Sequence, residues 1–136
     1  MTALLVEDDD RRVQWFCANM QPGEVVHVRT VPEAIAALEA ERFDTLWLDH
    51  DLGTEPMAGR DVALWLAAHP ACNPSMFILT HTVNAVSGPK ILQTLAAAGR
   101  LCVWMPFPDM LEMADHQQRA PSSDDGEPRE TPLMRG

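Results

Sequence analysis

Basic residues are scarce in this chain. Ten Lys and Arg stand against twenty Asp and Glu, a formal net charge of -10, and Lys90 is the single lysine. A charge of that sign excludes general binding to DNA or to an anionic membrane, because both require a basic surface. A short acidic cluster can still hold a cation that recruits a phosphate. Cysteine is also sparse: Cys17, Cys72 and Cys102 are odd in number and widely spaced, with no CxxC pair and no histidine at zinc-finger spacing. That excludes a disulfide framework, and we read the three as reduced core thiols. No run approaches the roughly 18 apolar residues of a membrane span. The stretch Met1-Thr2-Ala3-Leu4-Leu5-Val6 has no basic flank and is too short for a secretory signal. A cytoplasmic location with no membrane association is expected.

Hydrophobic residues make up 46% of the 136 and charged residues 22%, which suits one ordinary globular domain. Within it, two apolar runs end abruptly in acids: Ala3-Leu4-Leu5-Val6 meets Glu7-Asp8-Asp9-Asp10, and Leu46-Trp47-Leu48 meets Asp49-His50-Asp51 before Leu52-Gly53. Each reads as a buried strand that delivers carboxylates to a sheet edge. In an open parallel sheet, ligands bind at the carboxyl ends of strands, so the two endings converge on one acidic pocket centred on Asp49.

Strand and helix alternate along the chain. Strands are expected at residues 2–7, 24–29, 43–49, 75–80 and 101–105. The first helix, about ten residues, starts in the acidic run and carries Val13, Phe16, Cys17 and Met20 at helical spacing. Thr30 with Glu33 has capping-box spacing ahead of Ala34, Ile35 and Leu38. Helices also follow at 60–69, around Ile91, Leu92, Leu95 and Ala96, and as a short last one around Met110, Leu111 and Met113. Residues 54–59 form a loop. Five alternations imply right-handed crossovers, hence a three-layer α/β/α sandwich around a five-stranded parallel sheet. The domain spans residues 1–116. From Gln117 to Gly136 proline, serine and acids crowd into an expected flexible tail, whose four acids and three arginines leave about -9 of the charge on the domain. Trp15, Trp47, Trp65 and Trp104 fall on apolar faces and are expected in the core.

The Leu-Val-Glu7-Asp8 ending, Asp49, Thr80 and Met105-Pro106-Phe107, in that order on those elements, resemble receiver domains of response regulators over residues 2 to about 116. The resemblance implies a flavodoxin-like topology. It implies that Glu7 and Asp8 hold Mg²⁺ with Asp49, the phosphate-accepting position, that Asp51 completes the metal shell through its carbonyl, and that the Thr80 hydroxyl senses the phosphoryl group. Receivers carry Lys before Pro-Phe, where this chain has Met105, and a thioether cannot supply that charge. Leu48-Asp49-His50-Asp51-Leu52-Gly53 with His81-Thr82-Val83-Asn84 is most similar to the divergent cyclic-phosphate-processing receivers. That likeness implies a Mg²⁺ or Mn²⁺ site for a phosphate ester such as a cyclic nucleotide or RNA end, with imidazoles in place of the lysine.

In this reading Asp49, His81 and His50 serve catalysis, the histidines by proton transfer near working pH, while Thr80 and Asn84 contact the phosphate. Plainer roles stand beside these: Asp8 to Asp10 cap a helix, His50 orients the loop backbone, His81 bonds Asp49 or Asp51, and Asn84 caps or turns. A metal-dependent phosphoesterase or binding domain, a phosphorelay receiver phosphorylated on Asp49, and a pseudo-receiver acting through protein contacts are the functions in play. Met105 argues against the second, and the retained acids against the third. By resemblance, protein partners meet the helix 4, strand 5, helix 5 face near Trp104 and Phe107.

Overall fold

The computed structural model describes residues 2–20, 23–53 and 57–119, with side chains to 116. The expectations for Thr54-Glu55-Pro56 and for the tail beyond Arg119 lie outside the described residues. Five strands, β1 (Thr2–Val6), β2 (Glu24–Val28), β3 (Thr45–Leu48), β4 (Phe77–Thr80) and β5 (Leu101–Trp104), alternate with α1 (Asp10–Asn19), α2 (Val31–Ala40), α3 (Gly59–Ala68), α4 (Ser87–Ala97) and α5 (Phe107–Arg119). All strand pairs are parallel and their order is β2-β1-β3-β4-β5. This is the three-layer flavodoxin-like sandwich that the alternation implies.

Period-two side-chain alternation divides the strands between two cores. Leu4, Val6, Leu46, Leu48 and Ile78 pack under α2, α3 and α4, through Ala34, Leu38, Val62, Leu66, Ile91 and Leu95. Ala3, Leu5, Trp47 and Leu79 face the other way, against Phe16 of α1 and Met110 of α5. Strands buried on both faces need no polar alternation, which is why the runs are continuously apolar. Local chemistry sets the helix starts. Asp9 accepts from the Arg11 amide, and the Thr30–Glu33 capping box is formed in both directions.

Three expectations are corrected. The last helix, expected to be short, is thirteen residues long. Cys17 is exposed, not a core thiol, because only a narrow stripe of α1 faces the sheet. Of the four tryptophans only Trp47 is buried; Trp15, Trp65 and Trp104 sit half-buried at the edges of the layers.

Candidate functional site

The sheet hydrogen-bond ladder runs one residue past the strands. Amides of Glu7, Asp49, His81 and Met105 donate to Val28, Val6, Leu48 and Thr80 carbonyls respectively, at 3.0–3.1 Å. Since Val6, Leu48, Thr80 and Trp104 are in register, Glu7, Asp49, His81 and Met105 form the next row across the sheet. By alternation that row faces α1 and α5, as Leu5, Trp47 and Leu79 do two residues earlier.

Three of the four are sealed: Glu7 is 0%, Asp49 1% and His81 0% exposed. Glu7 Oε2 accepts the Asp8 and Asp9 amides at 3.1 Å each. Its other oxygen, Oε1, lies 2.7 Å from His81 Nε2. Asp49 Oδ1 accepts the His50 amide at 2.9 Å. Asp49 Oδ2 and His81 Nδ1 are buried with no hydrogen-bond partner. The His81 ring packs against Phe16, centroids 4.7 Å apart.

Burial sets the electrostatics. It pushes the Asp49 carboxyl up to about 7, helped by the Glu7 charge and opposed by His81, Arg12 and the His50 amide. Burial likewise raises Glu7. It lowers His81 to about 4, against the pull of Asp49, so the imidazole is neutral at neutral pH. A neutral ring is no ready proton donor there, and its bond to Glu7 Oε1 makes it a holder of that carboxylate.

Oxygens of Glu7 and Asp49 and a ring nitrogen of His81 all lie within 4.8 Å of one another. Two carboxylates and an imidazole around an unpartnered buried oxygen fit a divalent cation.

The other expected residues lie outside this set of three side chains. Asp8 is half-buried beside Gly53, whose φ of +68° and whose place 2.7 Å from Asp8 Oδ2, measured from an added Cβ, leave no room for a side chain. Asp51 is exposed, and its carboxylate is outside the three-donor cluster. His50 accepts the Arg60 amide on Nδ1 at 3.2 Å, which orients the turn into α3. Thr80 faces α3 and α4; its hydroxyl donates to the Leu48 carbonyl at 2.8 Å, so the place beside Asp49 that the resemblance gave to Thr80 is taken by His81. Asn84 Oδ1 accepts the Val86 and Ser87 amides at 3.0 and 2.9 Å, capping α4. Lys90 lies exposed on α4.

One residue of the site escapes a reading of the sequence. Arg12 Nη1 lies 3.5 Å from Asp49 Oδ2 and 3.8 Å from Glu7 Oε1, and the guanidinium covers the Phe107 ring at 5.2 Å. The signal was Phe16: Arg12 is one turn earlier on the same stripe of α1, so if Phe16 reaches the core, Arg12 points at the strand ends.

A family model described as Cyclic-phosphate processing Receiver domain matches residues 3–97. No curated protein matches the chain. Among solved structures, the Mn²⁺-bound form of response regulator Rcp1 is similar at 17% identity, over 94% of this chain and 99% of that one, with a TM-score of 0.62. The receiver domain of sensor histidine kinase PA1611 from Pseudomonas aeruginosa PAO1, with magnesium coordinated in its active-site cleft, is similar at 22% identity over 85% and 94%, TM-score 0.60. An adenylate cyclase from Rhodopirellula baltica is similar at 19% identity over 85% and 84%, TM-score 0.58. These likenesses bear on the fold.

Proposed function

The chain belongs to the cyclic-phosphate processing receiver domains, and from that membership we propose that its pocket binds, and with a divalent metal opens, a cyclic phosphate ester of a nucleotide or RNA end. The observation that carries this is the buried, unpartnered Asp49 Oδ2 inside a set of three donor groups. A carboxylate oxygen left without a partner in a dry site is costly unless a ligand completes it.

Glu7, Asp49 and His81 would hold Mg²⁺ or Mn²⁺, with Asp8 at the rim. The metal supplies charge neutralisation at phosphate oxygens. The protein supplies the rest. Two backbone amides and the His81 ring fix Glu7 in one orientation, so little reorganisation is needed when a ligand arrives. The Phe16 and Phe107 rings around His81 keep water from the inner wall. Opening the ring forms a bond from a water oxygen to phosphorus and breaks one ring phosphorus–oxygen bond, and the leaving oxygen takes a proton. No helix among the described residues is long and apolar enough to cross a membrane; the reading places the domain in the cytoplasm. Protein partners would meet it across α4, β5 and α5, where Val86, Leu101 and Val103 are exposed.

The test is ³¹P NMR of the protein with Mn²⁺ or Mg²⁺ and a 2′,3′-cyclic nucleotide. Wild type should convert the cyclic resonance to that of a monophosphate, and Asp49→Asn should not. A cyclic resonance that persists unconverted but is perturbed by metal only in the presence of the protein leaves binding without turnover. No effect, together with transfer of phosphate from acetyl phosphate to Asp49, would replace this function by that of a phosphorelay receiver.

A further inference from the structure

The fourth place in the row, beside His81, belongs to Met105, whose thioether packs into the α1–α5 core and offers no charge. The pocket therefore holds two buried carboxylates and one neutral ring but no strand-borne cation. Arg12 reaches it from α1. Its separation of 3.5 Å from Asp49 Oδ2 is an ion pair too long to satisfy that oxygen, which stays without a hydrogen bond. The Arg12 side chain is 28% exposed, so it reaches the carboxylates through Nη1 while keeping contact with water. Planar guanidinium donors match phosphate oxygens two at a time.

Outside Arg12 lies an open groove of about 340 Å³ lined by Asp9, Arg11, Arg12, Trp15, Phe107 and Leu111. Trp15 and Phe107 meet edge to face there, centroids 5.2 Å apart. The groove sets two arginines beside an aromatic wall, and Arg12 links it to the buried Asp49 Oδ2 at 3.5 Å.

We propose that Arg12 is the phosphate-binding cation of this pocket, performing from α1 the task that Met105 cannot, and that the Trp15–Phe107 groove holds the organic group of the ester. The proposal rests on the function assigned to the pocket above. Its ligand class is a phosphate ester with an aromatic base, and its charge complementarity comes from Arg11 and Arg12. Stacking against Trp15 tolerates any base, since each presents a flat π-face.

The full chain with saturating Mn²⁺ is titrated calorimetrically with inorganic phosphate and with a 2′,3′-cyclic nucleotide, and Mn²⁺ is titrated alone. Arg12→Met should weaken both phosphate ligands about tenfold or more, as loss of a charge-assisted contact requires. Arg12→Lys should recover part of that loss. Mn²⁺ affinity of Arg12→Met should hold or rise, since a competing cation is gone; a merely structural arginine would not split the two ligands this way. Trp15→Leu should weaken the nucleotide and spare inorganic phosphate. Wild-type affinity for both phosphates in Arg12→Met overturns the proposal alone. Failure of the wild-type protein to bind either phosphate overturns the function of the pocket and the proposal with it.

Discussion

Arg100 and Asp49 are both nearly sealed from water, 7% and 1% exposed, at opposite ends of the sheet. Around Arg100 the chain has supplied acceptors. Nη1 donates to the Asn73 carbonyl at 2.7 Å, and Nη2 to those of Leu66 and His69 at 3.1 and 2.9 Å, the last turn of α3, where a cation also suits the helix dipole. Asn73 completes the knot: its side chain takes the Phe43 amide and donates to the Leu38 and Glu41 carbonyls. Such ties justify its left-handed φ of 46°. Around Asp49 one oxygen accepts a single amide and the other has no hydrogen-bond partner, with Arg12 Nη1 3.5 Å away. A buried charge whose partners are complete holds the fold together; one whose partners are missing marks where something else binds. An open cavity of about 690 Å³ beside Leu38, Trp65 and Asn73 lies at the saturated end, and none of the residues lining it carries such an orphan.

The strongest way to break this comparison is to remove each charge. Arg100→Met strands the buried Leu66 carbonyl and the part-buried carbonyls of His69 and Asn73, and should destabilise the domain by about 2–3 kcal/mol. Asp49→Asn keeps the volume and removes an uncompensated charge, so stability at neutral pH should rise by about 1–2 kcal/mol, the usual sign of a site that trades stability for function. Urea unfolding of the two variants measures both. Equal losses would mean that Asp49 is as structural as Arg100.

A ligand sharpens the same contrast. At a hundred times its dissociation constant, Mn²⁺ should stabilise the wild-type fold by about 2.7 kcal/mol, raising the melting temperature. Asp49→Asn should lose that gain, and Arg100→Met should keep it on a lower baseline. Thermal melts with and without a chelator decide the matter.

How much of this the sequence disclosed follows from where the information lies. The apolar runs that end at Glu7 and Asp49 are local, so the strands, their parallel pairing and the central acid were legible. His81 was legible because it follows a strand directly. Thr80 and His81 are adjacent, and a one-residue choice of face separates the pocket from the α3–α4 side; only the register with Leu48 and Trp104 makes that choice. Arg12 stands in a polar run that looks like a solvated helix start, and Arg100 precedes a strand as an ordinary surface charge would. Their partners are 37 positions away for Arg12 and Asp49, and 27 or more for Arg100, beyond any local pattern.

The smallest effect is a pH dependence that should be absent. In the unfolded chain His81 titrates near 6.5 and Asp49 near 3.8; in the fold they stand at about 4 and about 7. The depressed histidine loses stability as pH falls from 6.5 towards 4, because only the unfolded chain takes up its proton. The raised aspartate loses stability as pH rises from 4 towards 7, because only the unfolded chain gives its proton up. Between about 4 and 6.5 each state holds one proton on the pair, on the imidazole when unfolded and on the carboxyl when folded. The two slopes cancel. Metal-free wild type should therefore show no net slope from this pair across the interval, whatever background the other carboxylates add. His81→Gln leaves the aspartate limb, so stability relative to wild type should fall by about 1–2 kcal/mol as pH rises, within the limit of about 1.4 kcal/mol per unit. Asp49→Asn leaves the histidine limb and should fall in the other direction, as pH drops. Urea midpoints at half-unit steps of pH would show the crossing lines, and parallel lines for the three proteins would mean that the proton is not exchanged between these two groups on folding.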